Sequence, residues 1–470
     1  MKKKGLIEIP QGVKASIAFF AATVVTKGIS YLTTPIYTRL LSSDDFGRTS
    51  VFITWLQLFG IVAMFCLSAG VFNNGMVDYP EERDEYSFSM LILSNIISII
   101  FSIVLLLLYP FIKDVIKLEV PLVLLMLVIY LFEPAYDFWV ARQRYEMKYK
   151  LVSLWAIVCA VVSPLIAIVC IIMDSQHQLY GRIFGAHLSL LIIYIGFYFY
   201  LAKKAKYRIN RTYWKSALSF NLPLIPHYLS IYLLGSSDKL MISRLIGDSA
   251  TAYYSVAYSV ASVVMIVWTA ANGSLIPYTY EKCKKKEYKS ISNVTISLLW
   301  VFGVFCVLII LLAPEVVSFM ATKDYKEAIY VIPPIVGGVF FQVHYFIYAN
   351  ILYYFKKPKC VMIGSISAML LNIILNYIFI QQYGYIAAGY TTFICYLIQA
   401  AIDYLAMRKV VGTSIYNMKL IVLMSVLFGG SSLLCTFLYV EKLMRYLIVA
   451  MILLLGIFMR KKILNIIKIG

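Results

Sequence analysis

The chain has 470 residues, of which 61% are hydrophobic and 14% charged, and its formal net charge is +19. A soluble domain usually carries about 25% charged residues, so this composition excludes an ordinary soluble protein and indicates a membrane protein. The positive charge alone would suit a nucleic-acid-binding protein. However, the Lys and Arg residues form no single basic domain and recur between apolar segments along the whole chain.

Apolar segments predict the membrane helices, because about 20 mostly apolar residues are needed to cross the hydrocarbon core. The sequence therefore predicts an all-α integral membrane protein with about fourteen transmembrane helices. The predicted segments are 14–39, 48–70, 87–110, 120–141, 150–173, 182–202, 216–244, 251–278, 290–313, 328–354, 360–380, 386–407, 418–439 and 443–460.

The distribution of basic residues predicts the orientation. With the N-terminus placed in the cytoplasm, 30 of the 42 Lys and Arg residues fall at cytoplasmic ends and loops, 10 fall outside, and Lys27 and Lys239 remain within the membrane. This bias follows the positive-inside rule and predicts that both termini are cytoplasmic. Basic clusters at 203–206 and 284–286 suit anionic headgroups. Membrane lipids are therefore predicted partners, and nucleic acid is not.

No cofactor, metal site or catalytic residue is predicted. The sequence contains no phosphate-binding Walker loop, no dinucleotide-binding fingerprint and no His, Cys or carboxylate cluster at metal-ligand spacing. The eight cysteines are scattered through apolar segments, which is typical of small core residues. His227 and His344 each lie alone in an apolar segment, which favours hydrogen-bonded core histidines. We expect a transporter and not an enzyme.

The first predicted segment carries a charge. Lys27 lies within it, and a charged side chain at the bilayer centre costs about 2.5–3.5 kcal/mol on insertion scales. Lys27 therefore either faces a wet cavity or is satisfied by backbone carbonyls freed at Gly28 or Pro35. Arg39 follows at the end of this segment, and Arg48 at the start of the next.

The fourth segment ends with two acids, Glu133 and Asp137, which lie four residues apart and so share one helix face. One interpretation is a pair that couples transport to protons or cations. The other is a pair at the helix end that is satisfied by Arg142, Arg144 or a nearby loop.

An acid and a base lie next to each other near the middle of the chain, in the segment 216–244. Pro223 and Pro226 precede them, and the Gly-Ser-Ser sequence at 235–237 predicts a kink. Asp238 and Lys239 point about 100° apart on a helix, so each needs its own partner. This stretch therefore predicts a polar cavity, close to Arg244.

The two halves of the chain repeat each other weakly. Residues 38–41 align with 243–246, and residues 148–152 align with 357–361. Six segments per half return the chain to the same side, so the repeat is parallel. We expect an N-terminal lobe at 1–202, a basic cytoplasmic linker at 203–215, a C-terminal lobe at 216–408 and two extra helices within 409–470. The lobes are expected to rock against each other without nucleotide hydrolysis.

Three motifs carry a family resemblance: 39–41 with 46–47, 237–242 with 253–257, and 372–376 with 383–384 and 387–388. With them the chain resembles the polysaccharide-transporter branch of the multidrug/oligosaccharidyl-lipid/polysaccharide (MOP) flippase superfamily, which includes Wzx-type flippases of O-antigen and capsule repeat units. That family usually shows Gly-Ala-Ala after its Tyr-Gly turn, where this chain has Ile-Ala-Ala-Gly at 386–389.

The resemblance implies two six-helix, MATE-like lobes around a central cavity. It implies a substrate of undecaprenyl-pyrophosphate-linked oligosaccharide, moved to the outer leaflet of a bacterial cytoplasmic membrane, and other polysaccharide-assembly proteins as further partners. Cations must solvate the pyrophosphate, because charge-assisted bonds to phosphate are strong. The candidate substrate-binding residues are Lys27, Arg39, Arg48, Asp238, Lys239 and Arg244. The candidate ion-coupling residues are Glu133, Asp137 and Asp238.

Two other functions compete with this one. A MATE-type drug/cation antiporter would share the fold, but some of that branch have an acid in the first segment, where this chain has Lys27. A base there suits an anionic lipid substrate better than a cationic drug. A membrane glycosyltransferase or polymerase generally needs a sizeable outer loop, and the outer loops predicted here are short.

Overall fold

The structure is a computed structural model that describes residues 11–458, with side chains from residue 18 onward. In this range the chain forms eighteen α-helices and no strand, which confirms the all-α prediction. The helices are α1 (Gln11–Leu40), α2 (Ser43–Ala63), α3 (Val71–Asp78), α4 (Arg83–Ile116), α5 (Val120–Tyr145), α6 (Tyr149–Met173), α7 (Gln178–Lys204), α8 (Thr212–Asn221), α9 (Ile225–Leu245), α10 (Asp248–Lys284), α11 (Tyr288–Leu311), α12 (Ala313–Met320), α13 (Ile332–Tyr354), α14 (Pro358–Tyr383), α15 (Ile386–Val411), α16 (Met418–Met424), α17 (Gly430–Leu434) and α18 (Lys442–Phe458).

Twelve helical stretches of the described chain are long and apolar enough to cross a membrane. They are α2, α4, α5, α6, α7, the stretch Thr212–Leu245, α10, α11, α13, α14, α15 and the stretch Met418–Tyr439. Helices α1 and α18 overlap the first and last predicted segments but are not among the twelve. The membrane class is therefore confirmed, whereas the count of fourteen is not. Both termini lie outside the described residues, so the predicted orientation stays a prediction.

The stretch Thr212–Leu245 is interrupted early. A 3₁₀ turn at Leu222–Leu224 separates α8 from α9, and it contains Pro223, which has no N–H for the helical ladder. Helix α9 then passes through Gly235 without a break, and the kink expected there stays a prediction. A Cβ on Gly235 would lie 3.4 Å from the Tyr258 hydroxyl, which is an ordinary van der Waals contact.

Internal contacts divide the chain into two units. The N-terminal unit contains the residues up to Leu41 and Phe52–Leu229, and the C-terminal unit contains Ser42–Val51 and the residues from Ser230 onward. Helix α2 and the stretch Thr212–Leu245 thus contribute residues to both units. The lobe boundaries and the linker expected from the sequence stay predictions.

Aromatic side chains form much of the core of the N-terminal unit. Helix α6 packs against α1 and α7, and α5 packs against α4 and α7. Phe72, Tyr86 and Phe138 are buried in this core, with the Phe72 and Phe138 ring centroids 5.0 Å apart. A Cβ on Gly75 would lie 2.1 Å from the Tyr86 ring, so α3 can approach α4 this closely only with glycine at that position.

Helix α13 lies at the centre of the C-terminal unit, where it packs against α10 and α15. Of the residues in the apolar 18-residue part of this helix, 89% are buried, as expected for a helix that is hydrophobic all round. Small residues allow the close packing: a Cβ on Gly337 would lie 2.7 Å from the Phe393 ring of α15, and one on Gly389 would lie 3.0 Å from Pro334. The small residue at 389 thus lets α15 approach α13 closely.

Candidate functional site

The predicted cations of the N-terminal unit lie on α1. Lys27 is exposed in the middle of this 30-residue helix, and Arg39 is exposed in its last turn. The Arg39 Nη1 donates to the Pro35 carbonyl at 2.7 Å, and the Thr38 hydroxyl donates to the same oxygen at 3.2 Å. The Pro35 carbonyl is therefore satisfied by Arg39 and Thr38. Lys27 lies roughly 12 Å from Pro35 along the helix, at 1.5 Å per residue.

The two acids of α5, Glu133 and Asp137, are half-buried. One of the partners considered for them is engaged elsewhere: the Arg142 guanidinium pairs with Asp84 and also with Glu146, the latter at 2.9 Å. Arg144 lies over the Phe19 ring, 5.6 Å from its centroid.

Glu146 follows α5 and lies outside the membrane-spanning stretch. Partial burial favours its neutral form, but hydrogen bonds from Lys148 and Arg142 outweigh this and lower the pKa of Glu146 below its usual value. The basic end of α5 is therefore held by a surface ion-pair network with Asp84.

The start of α2 belongs to the C-terminal unit and packs on the start of α10. A Cβ on Gly47 would lie 1.8 Å from the Asp248 carbonyl oxygen, so the two backbones touch at this point. The Ser43 hydroxyl donates to Ser249 Oγ at 3.2 Å, and the Phe46 ring packs edge-on against Tyr325 at 6.2 Å. The Phe-Gly pair at 46–47, which the family resemblance singled out, is thus a packing motif.

Arg48 and Arg244 are the two predicted arginines of this unit. Arg48 is half-buried on α2, and Arg244 is exposed in the last turn of α9. Arg39 likewise occupies the last turn of α1, so the two arginines aligned by the repeat have equivalent positions in their helices.

Asp238 is fully buried on α9, and donors from three other helices surround its carboxylate. Tyr254 of α10 donates its phenolic hydroxyl to Oδ2. Asn376 of α14 donates Nδ2 to Oδ1 at 2.6 Å, and Thr392 of α15 donates its hydroxyl to Oδ2 at 2.8 Å. Because a buried carboxylate must be hydrogen-bonded to remain charged, these donors favour its ionised form.

Further polar side chains join this carboxylate to a network. Asn372 Oδ1 accepts from Asn376 Nδ2 and from the Ser237 hydroxyl, both at 3.1 Å, and Asn372 Nδ2 donates to Thr392 Oγ1 at 3.0 Å. The Thr391 hydroxyl donates to Asn376 Oδ1. We call this set the Asp238 network; it consists of Ser237, Asp238, Tyr254, Asn372, Asn376, Thr391 and Thr392. A connected buried network of this kind fixes the positions of its side chains.

Lys239, the next residue after Asp238 on α9, is half-buried. Its Nζ lies 4.9 Å from the centroid of the Tyr258 ring, within cation–π range. The described residues show no ion pair between Asp238 and Lys239, as expected for neighbours about 100° apart on a helix.

The sequence singled out Asp238 but did not identify its partners. Asn372 and Asn376 entered only as part of a family motif, although two amides four residues apart in an apolar helix already share one face. Tyr254 entered only through the family motif at 253–257, and Thr392 gave no such signal. Across residues 11–458, no group of three or more His, Cys, Asp or Glu side chains could hold a metal ion.

Comparisons with known proteins agree with this architecture. The chain matches the family model described as "Polysaccharide biosynthesis protein" over residues 13–282 and the MatE family model over residues 223–378. It is 26% identical over 207 residues to "Lsg locus putative protein 1" of Haemophilus influenzae. That match covers 41% of this chain and only half the length of the relative.

Two solved structures have a similar fold. The lipid II flippase MurJ in an inward closed conformation has a TM-score of 0.68 at 16% identity, covering 95% of this chain and 99% of that one. An inward-facing multidrug resistance MATE family transporter of the MOP superfamily has a TM-score of 0.62 at 13% identity, covering 84% of this chain and 98% of that one. The Polysaccharide biosynthesis protein match alone extends over more than half of the 470 residues. The chain therefore belongs to that family, and its fold is that of these flippase and transporter structures.

Proposed function

We propose that this protein is a flippase of lipid-linked oligosaccharides. It moves undecaprenyl-pyrophosphate-linked repeat units from the inner to the outer leaflet of the bacterial cytoplasmic membrane, for the synthesis of O-antigen or capsule. Membership of the polysaccharide biosynthesis family supports this proposal. So does the similarity of fold to a flippase that is itself named for a lipid, lipid II.

The observation that carries the proposal is Lys27. A cation exposed at the middle of α1 is costly against hydrocarbon but stable in a water-filled path. A pyrophosphate moving along such a path needs cations, and its charge-assisted bonds to them are short and strong. Arg39, Arg48, Lys239 and Arg244 are the further cations that we assign to the pyrophosphate and to anionic headgroups, with Asp238 next to Lys239 on α9.

We assign the coupling of transport to an ion primarily to Asp238, with Glu133 and Asp137 as further candidates. Asp238 is the buried carboxylate that four helices converge on, through Tyr254, Asn376 and Thr392. A fixed anion in such a setting attracts a cation when the helices open. Replacing Asp238 by Asn keeps the shape and removes the charge, so export should fall while the protein still folds.

The decisive experiment is export by Lys27 variants in a strain that lacks the chromosomal copy. Lys27→Ala should abolish surface glycan at normal protein level, and Lys27→Arg should retain part of it, because the charge persists. Lys113→Ala is the control, since Lys113 is also an exposed lysine and lies in the last turn of α4. Full export by Lys27→Ala would assign Lys27 a structural role only.

A MATE-type drug/cation antiporter is the second candidate, favoured by the MatE match over residues 223–378. One experiment, on a deletion strain and an overexpressing strain, distinguishes the two functions. If deletion leaves surface glycan unchanged while expression raises resistance to cationic drugs, the antiporter is the correct assignment.

A further inference from the structure

The C-terminal unit holds a second buried acid. Asp403 lies on α15, eleven residues or roughly 16 Å beyond Thr392, and is 0% exposed. Neither of its carboxylate oxygens has a hydrogen-bond partner among the described residues. Gln399, one turn earlier on the same face of α15, is 2% exposed, and its Oε1 likewise has no donor within residues 11–458.

The described residues around Asp403 pack tightly on it and supply no opposite charge. A Cβ on Gly364 of α14 would lie 2.6 Å from Asp403 Oδ1, so the carboxyl group packs directly on the bare backbone of that helix. The neighbouring hydroxyl on α14, that of Ser365, donates to the Met362 carbonyl at 3.0 Å. The titratable group facing Asp403 from α13 is the Tyr345 phenol. No Lys, Arg or His of the described chain forms an ion pair with Asp403.

The carboxylate oxygens of Asp403 and the amide oxygen of Gln399 are buried acceptors that need a hydrogen-bond donor. An ionised Asp403 would be a buried, unpaired charge, a state that proteins generally avoid by neutralising the group. A bound proton removes the charge and turns the acid into a donor. The Cβ atoms of Gln399 and Asp403 are about 5–6 Å apart at this spacing. The Gln399 amide oxygen is an acceptor without a donor, and the protonated acid can donate to it directly or through one water.

We propose that Asp403 is a proton-binding site that is occupied in the conformation described. Gln399 accepts a hydrogen bond from the protonated acid, and the backbone at Gly364 packs against it. When α14 and α15 separate enough to admit water, the ionised carboxylate becomes the favoured form. The O–H bond on Asp403 then breaks, and the proton passes to water as hydronium. Proton binding follows from this geometry alone; its use to drive transport rests on the proposed flippase function.

Infrared spectroscopy of the purified full-length protein in phospholipid vesicles tests the binding step without transport. We expect the carbonyl stretching band of a protonated carboxyl group at pH 7. The band should shift in heavy water, disappear in Asp403→Asn and persist in Asp238→Asn. Gln399→Met should shift the band, because the acid loses its acceptor. Gly364→Ala should also shift it, whereas Gly273→Ala should not, since nothing lies within 4 Å of a Cβ built on Gly273.

Two results would overturn the proposal. One is a band that is identical in wild type and Asp403→Asn. The other is its loss on adding sodium at pH 7, which would make this a metal-cation site. Coupling is then measured as flipping of lipid-linked oligosaccharide in vesicles with and without an imposed proton gradient, and Asp403→Asn should lose the dependence on the gradient. A wild type that flips no such lipid would refute the flippase function and leave the spectroscopic result standing.

Discussion

Replacing Gly47 by Ala should destabilise the C-terminal unit. The added Cβ would lie 1.8 Å from the Asp248 carbonyl oxygen, and ordinary contact begins near 3.4 Å, so α2 and α10 must separate by about 1.6 Å. Both sides are backbone, so no flexible side chain can yield. Such overpacking costs about 1–3 kcal/mol. The gain from removing a helical glycine is about 0.5–1 kcal/mol, so the net change is a loss.

The measurement is the thermal midpoint of the detergent-solubilised protein. It is monitored as the fraction of the protein that remains monodisperse after heating. Gly47→Ala should melt below wild type. The separation of α2 from α10 should also disturb the hydrogen bond between Ser43 and Ser249. Gly196→Ala and Gly273→Ala are matched controls on α7 and α10, with nothing within 4 Å of the new Cβ, and should melt at or above wild type. If Gly47→Ala melts with the controls, the close contact between the two helices is refuted.

Three other outcomes are expected. Asn376→Leu should lower the same midpoint, because leaving buried partners unpaired costs about 1–3 kcal/mol, whereas Tyr377→Leu, at an exposed position, should change it little. The lowered pKa of Glu146 stabilises the fold above the unfolded value of about 4.3, so the midpoint gap between wild type and Glu146→Gln should close as pH falls below that value, and a constant gap would contradict it. Reporter fusions after Lys206 should behave as cytoplasmic and one after Asp248 as external; a reversal would mean that the segments are miscounted.

Most of the helical architecture was predictable from hydropathy. An apolar run of about 20 residues must form its backbone hydrogen bonds internally, so it becomes a helix wherever it occurs. The predicted segments 251–278 and 290–313 correspond to α10 and α11 in this way. A Gly-Ser-Ser sequence can also end a helix, but α9 continues through Gly235.

The partners of the buried groups were not predictable, because they are distant in sequence. Asp238 and Asn376 are 138 positions apart, and no local pattern reports a contact over that distance. The motif at 372–376 marked the correct helix through family resemblance, without showing that its amides face Asp238. Asp403 gave still less signal, since a lone acid five residues before Arg408 looks like part of a charged helix end. Its burial and lack of donors are visible only in the folded chain.

Helix α15 therefore contributes to two acidic sites of opposite character. Near its start it supplies Thr392 to Asp238, which also receives an amide from α14 and a phenol from α10. About 16 Å further along, Asp403 packs on the backbone of Gly364 of α14 and has no hydrogen-bond donor among the described residues. The first setting surrounds a buried carboxylate with hydrogen-bond donors. The second leaves a buried acid without donors among the described residues, which favours the neutral form. If Asp238 couples an ion and Asp403 binds a proton, as proposed, Asp238→Asn and Asp403→Asn should impair different steps.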